Sequence, residues 1–125
     1  MSWIEFAITA GTLTQVDDDG TRTLLGPAYS GAPGHVNVAG DVALVAEGPI
    51  PLGNWEIGTP FDSPHTGPFS IPLTPAADTE TFSRSVFECH GDTPEHNQSA
   101  SHGCIIAART IREIVAAFKL LIVVA

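Results

Sequence analysis

Ser85-Val86-Phe87-Glu88-Cys89-His90-Gly91-Asp92 and, beyond a polar loop, Ser101-His102-Gly103-Cys104-Ile105-Ile106 are the stretches on which the reading of this chain turns. The first is a short apolar run that ends in a histidine. The second is a small polar tripeptide that ends in a cysteine and continues into an apolar pair. A thiol attacks well only as thiolate, and a nearby imidazole is the usual means of forming one near neutral pH. Three of the five histidines, His90, His96 and His102, fall inside this window. Ser85 to Cys89 is predicted to be the last strand, delivering His90 at its end. Strand ends and the loops that follow them commonly carry chemistry.

Side chains alternate faces along a strand, so Cys89 and His90 diverge. With His90 facing a cleft, Cys89 becomes a small core residue, the usual fate of a buried free cysteine. Gly103 permits a tight turn before Cys104. Such a turn is expected to aim the Gly103 and Cys104 amides at one point, as in an oxyanion hole. The competing readings are plain loop residues, a Cys89–Cys104 disulfide, or a zinc site drawing on Cys89, His90, His96, His102 and Cys104. Adjacent ligands on a strand bind one ion poorly, and no Cys-x-x-Cys or His-x-x-x-His pair is present. No metal and no cofactor is therefore expected.

Outward from the window, the first 90 residues read as β-rich. Trp3–Thr9, Thr12–Val16 and Thr21–Leu25 form a predicted three-strand meander, with turns at Ala10-Gly11 and at Asp17-Asp18-Asp19-Gly20. The triple Asp lacks the spaced ligands of a calcium loop and reads as a solvated hairpin tip. Val42–Ala46 is a predicted buried strand. Gly48-Pro49-Ile50-Pro51-Leu52-Gly53 excludes a helix. Trp55-Glu56-Ile57 and Phe69-Ser70-Ile71 are predicted short strands. His35 and His65, in Gly/Pro loops, read as surface residues. Only the C-terminal part looks helical, with Thr110 to Glu113 as a capping box and Ile111, Ile114, Val115, Phe118 and Ile122 on one face. Leu120–Val124 is expected to cover the core or an interface.

The 125 residues suit one domain with its own core, and no second domain or repeat is visible. With 14 Asp and Glu against 5 Lys and Arg, the formal charge is −9. No cluster of cations is present to displace counterions, so nucleic acid is not an expected partner. No run of about twenty apolar residues spans a bilayer. Met1-Ser2-Trp3-Ile4-Glu5 lacks the basic and apolar regions of a secretory signal.

His90-Gly91-Asp92 followed by Ser101-His102-Gly103-Cys104-Ile105 resembles the signature of the L,D-transpeptidase (YkuD-type) catalytic domain. Tyr29-Ser30-Gly31, Gly48-Pro49-Ile50-Pro51-Leu52-Gly53-Asn54-Trp55 and Arg84–His90 are similar to a compact branch among type VI secretion effectors that attack peptidoglycan. The resemblance covers about Trp3 to Ile114. It implies a mainly β, sandwich-like L,D-transpeptidase catalytic fold over residues 1–125 with one C-terminal α-helix. It implies Cys104 as nucleophile, His90 as base, and the Gly91 carbonyl as the group that orients the imidazole. His102 and Gly103 would line the oxyanion hole, Ser101 and Asp92 would support the loop, and Tyr29 would border the substrate cleft. Ile106 departs from the Arg or Asn that many L,D-transpeptidases carry two residues after the cysteine.

The expected activity is thioester chemistry on peptidoglycan tetrapeptide stems: L,D-carboxypeptidase release of D-Ala, D-amino-acid exchange, or cross-linking. The expected place of action is the periplasm or cell wall, reached through a dedicated secretion system, and an immunity protein is a candidate partner. An NlpC/P60-type endopeptidase is disfavoured because there the Cys precedes the His. A non-catalytic wall- or partner-binding module on the same fold is the reading from another class.

Overall fold

The computed structural model describes residues 1–92 and 101–125. Nine strands and one short α-helix follow in the order β1 (Trp3–Ala7), β2 (Thr12–Val16), β3 (Arg22–Ser30), β4 (Gly53–Ile57), β5 (Phe61–Ser63), β6 (Gly67–Pro75), β7 (Phe87–His90), β8 (Ile105–Ala107), α1 (Arg109–Val115) and β9 (Leu120–Val124). The fold is mainly β with one short helix, as expected. The sheet order β4-β9-β1-β2-β3-β8-β7-β6 closes through an additional β4–β6 pairing, and β5 hangs on β6 as a hairpin. The expected sandwich is therefore an eight-stranded closed barrel.

Period-two burial explains the strands. Ile4 and Phe6 of β1, Leu121 and Val123 of β9, and Phe87 and Cys89 of β7 point into one core. Trp55 fills the centre: its ring meets Phe87 edge-on at 4.8 Å, and its indole N–H donates to the Pro51 carbonyl at 3.1 Å. Ile50 plugs the barrel between the buried Pro49 and Pro51. This part of the Gly/Pro stretch is thus packed into the interior.

Five sequence expectations are corrected. Leu120–Val124 is a barrel strand, parallel to β1 and antiparallel to β4, rather than a cover over the core. The helix before it ends at Val115, and Ile122 shares no helix face with Ile111. A β-branched run favours extended backbone, and the gap between β1 and β4 provides the partners. The helix starts after Ala108 with no side-chain cap, and Glu113 accepts from Arg109 Nε instead of closing a box with Thr110. Val42–Ala46 runs through successive turns, with Val45 at 65% exposure, because the ring closes without it. Ser85 to Cys89 is likewise not the last strand, since β8 and β9 follow β7.

Candidate functional site

β7 and β8 run parallel, with Cys89 beside Ile105 and His90 beside Ile106. The alternation expected from the sequence holds. Cys89 and Ile105 belong to the core cluster, whereas His90 and Ile106 lie on the outer face. Cys104 immediately precedes β8 and so lies one step before Ile105, on the side that His90 faces. Thiol and imidazole therefore sit on one side of two hydrogen-bonded strands. Cys89 is sealed inside, its thiol pushed up to about 12 by burial. Both cysteines are free, and their opposite faces exclude a bridge between them.

On the imidazole side, His90 Nδ1 lies 2.9 Å from the Gly91 carbonyl. A carbonyl can only accept, so Nδ1 carries the proton and Nε2 keeps its lone pair. Burial pulls the His90 pKa below its ordinary value, opposed by the Gly91 hydrogen bond and the Glu88 charge. The neutral ring is the resting form.

On the thiol side, burial and, less strongly, the Glu88 charge push Cys104 up to about 11, against a backbone hydrogen bond from Glu88 and the weaker influence of the Arg84 charge. The resting pair is a neutral thiol and a neutral imidazole, suited to base catalysis during attack rather than to a standing ion pair.

Buried hydroxyls set the turn before Cys104. Ser101 Oγ accepts from the Gly31 amide at 2.9 Å and donates to the Cys104 carbonyl at 2.6 Å. Ser30 Oγ accepts from the Ile50 amide and donates to the Gly103 carbonyl. The Gly103 amide donates to Ser101 Oγ at 3.1 Å. This differs from the expected pair of converging amides: Gly103 is committed inside the turn, leaving Cys104 as the amide of that pair not held by Ser101. His102 is exposed, with Nδ1 3.2 Å from the Ala46 carbonyl. His96 lies outside the described residues. Among the described residues no group of three or more His, Cys, Asp or Glu is arranged to hold a metal ion.

Tyr29, Ile106 and His90 form a row across β3, β8 and β7. The Tyr29 hydroxyl donates to Asp92 Oδ1 at 2.7 Å, so Asp92 reaches Tyr29. Both residues line a cleft of about 540 Å3. Cys104 and His102 line a different one, of about 260 Å3. The candidate residues are thus divided between two clefts.

Two buried arginines received no role from the sequence. Arg84 donates to the carbonyls of Val42, Gly48, Pro49 and His102. A Cβ on Gly103, whose φ is +132°, would overlap its Nη2 atom. Arg112, on α1, donates to Pro68, Phe69 and Ala107 carbonyls, and its Nη1 would lie 3.1 Å from a Cβ on Gly91. Their one visible signal is scarcity: two of only five Lys and Arg in the chain, each close in sequence to an apolar run.

The molecule is thus a closed β-barrel that carries a histidine at the end of one strand and a cysteine just before the parallel strand beside it. A family model described as the Tlde1 domain matches residues 26–123. The chain belongs to that family, whose name denotes type VI secretion L,D-transpeptidase effectors. Among solved structures, it is similar to that titled "Structure of Bdellovibrio bacteriovorus Bd1075", at 12% identity and a TM-score of 0.66. That alignment covers 98% of this chain and 47% of the other, so the chain spans about half the length of the solved structure, and the likeness is one of fold. No curated protein matches.

Proposed function

We propose that this chain is a cysteine-dependent enzyme that modifies peptidoglycan tetrapeptide stems, as an L,D-carboxypeptidase or D-amino-acid exchanger, and that it acts in the periplasm as a secreted antibacterial effector. The observation that carries the reading is the His90–Gly91 hydrogen bond, which fixes a neutral Nε2 acceptor on the same face as Cys104. Membership of the Tlde1 domain family supports the substrate class.

In this mechanism Cys104 Sγ attacks the carbonyl of the third stem residue as His90 Nε2 takes the thiol proton. The Cys104 amide faces the developing oxyanion. Collapse transfers that proton to the departing amine of D-Ala and leaves a thioester. Water then attacks, losing a proton to His90, and releases a tripeptide stem and the free thiol. A free D-amino acid in place of water gives exchange, and the amine of a second stem gives a cross-link.

The test is digestion of purified tetrapeptide muropeptides, read by mass. Loss of one D-Ala, absent in Cys104→Ala and His90→Ala, is the expected result. Unchanged muropeptides with the native chain, with and without added D-amino acid, would overturn the enzymatic reading and favour a non-catalytic wall-binding module.

A further inference from the structure

A cleft of about 260 Å3 is lined in part by Cys104. In a chain of net charge −9, no Asp or Glu is among its lining residues. It offers the Arg84 guanidinium at its base, the His102 imidazole and the Ser83 and Ser85 side chains, with Val45 and Val86 at the rim. Arg84 is 7% exposed and, among the described residues, pairs with no carboxylate; its partners are all backbone carbonyls. Carbonyl dipoles hold a guanidinium in place but leave its net charge uncancelled, so its field acts at Cys104 beside the opposing one of Glu88, which does not line the cleft.

The rim is also strained. Ala46, Ser83 and Val86, all lining this cleft, have φ of +62°, +60° and +62°. A β-branched residue is rare in that region, and Val86 is 81% exposed, so no core packing rewards it. Strained backbone of this kind gathers where a ligand is gripped.

We propose that this cleft is a subsite for the α-carboxylate of a small amino acid, with Arg84 supplying the charge beneath it, His102 and the two serines the donors, and Val45 and Val86 the contact for a short apolar side chain. The proposal rests on Cys104 as the reacting centre of the function proposed above. It names what that centre recognises: a stem that ends in a free carboxylate rather than one extended or amidated at that position. The same chemistry is offered by a peptide C-terminus and by a free D-amino acid acting as acceptor.

Cys104 alkylation by uncharged iodoacetamide tests this without requiring turnover. Acetyl-D-alanine stands in for a peptide C-terminus, D-alanine for the free acceptor, and acetyl-D-alanine methylamide for the blocked end. Acetyl-D-alanine is expected to slow alkylation about fivefold where the methylamide has little effect, a difference within the reach of one partly screened charge pair. Protection by D-alanine as well assigns the subsite to both sources, and protection by the acetylated acid alone assigns it to the leaving end. Val86→Asp, at an exposed position that tolerates Asp in this backbone region, is expected to abolish the acid selectivity, whereas Val86→Asn retains it. Arg84→Lys, checked for folding by circular dichroism, should weaken it. Equal protection by acid and methylamide, no protection at all, or selectivity unchanged in Val86→Asp would overturn the subsite. Absence of stem cleavage beside intact acid-selective protection would instead overturn only the catalytic reading.

Discussion

The thiol side and the imidazole side of the candidate site follow one plan with different tolerances. Each reactive residue has a glycine next to it in sequence, and each glycine faces a buried arginine held by backbone carbonyls. On the imidazole side, Arg112 reaches Pro68, Phe69 and the Ala107 carbonyl near the start of its own helix, and Gly91 leaves room beside it. On the thiol side, Arg84 gathers carbonyls from three separate stretches of chain, and Gly103 has none to spare. The imidazole is oriented by its immediate neighbour; the thiol is positioned by residues brought from far away in sequence. Local geometry places the imidazole, and tertiary structure places the thiol.

The sharpest way to break that comparison is removal of the reactive groups. Cys104→Ala is expected to take D-Ala release below detection, and His90→Ala to lower kcat by about 10²–10⁴, both with unchanged circular dichroism. Measurable turnover in Cys104→Ala would show that the thiol is not the nucleophile.

Next come the two glycines. Gly103→Ala places a side chain on Arg84 at a backbone angle that L-residues avoid, and is expected to cost about 2–4 kcal/mol in denaturant unfolding. Gly91→Ala meets only a tight contact with Arg112 and should cost about 1 kcal/mol or less. Equal costs would remove the asymmetry described above.

Titration gives a third separation. Because Cys104 is raised to about 11, its alkylation rate should climb steadily with pH through neutrality and level off only near that value. Cys89, raised to about 12 and sealed in the core, should remain unlabelled in the folded chain. His90 is lowered, so it stays neutral until the pH falls below the ordinary imidazole range, and activity is lost on the acid side only there. A plateau of Cys104 alkylation near pH 6 would mean a standing thiolate–imidazolium pair. The smallest effect is expected from Tyr29→Phe, which removes the 2.7 Å hydrogen bond to Asp92 in the other cleft and should change stability by about 0.5–1.5 kcal/mol in thermal unfolding.

Much of this was legible in the sequence where the signal is local. The strands at Trp3, Thr12 and Trp55 follow from alternation and turn residues, and the opposite facing of Cys89 and His90 follows from the two-residue repeat. The Gly91 contact, implied by the family resemblance, involves adjacent residues. What stayed hidden depends on long-range closure. Leu120–Val124 becomes a strand because two distant strands wait on either side of it, and no window around residue 120 contains them. Arg84 and Ser30 act by gathering groups dozens of residues away, so their neighbours in sequence say nothing of it. Val42–Ala46 has strand composition, but composition cannot show that the ring is already full.

The pairing of Ile4 with Leu121 sets the order in which this protein can come into being. A ribosome makes β9 more than a hundred residues after β1, yet the two must lie side by side, with β4 across β9. Until residues 120–124 emerge, the ring has an open seam between β1 and β4. Such distant pairings make for slow folding and delay it until translation of the barrel is nearly complete. A nascent chain halted before β9 therefore exposes two unpaired strand edges to its surroundings, and a short peptide copying Leu120–Val124 has a ready-made slot in it.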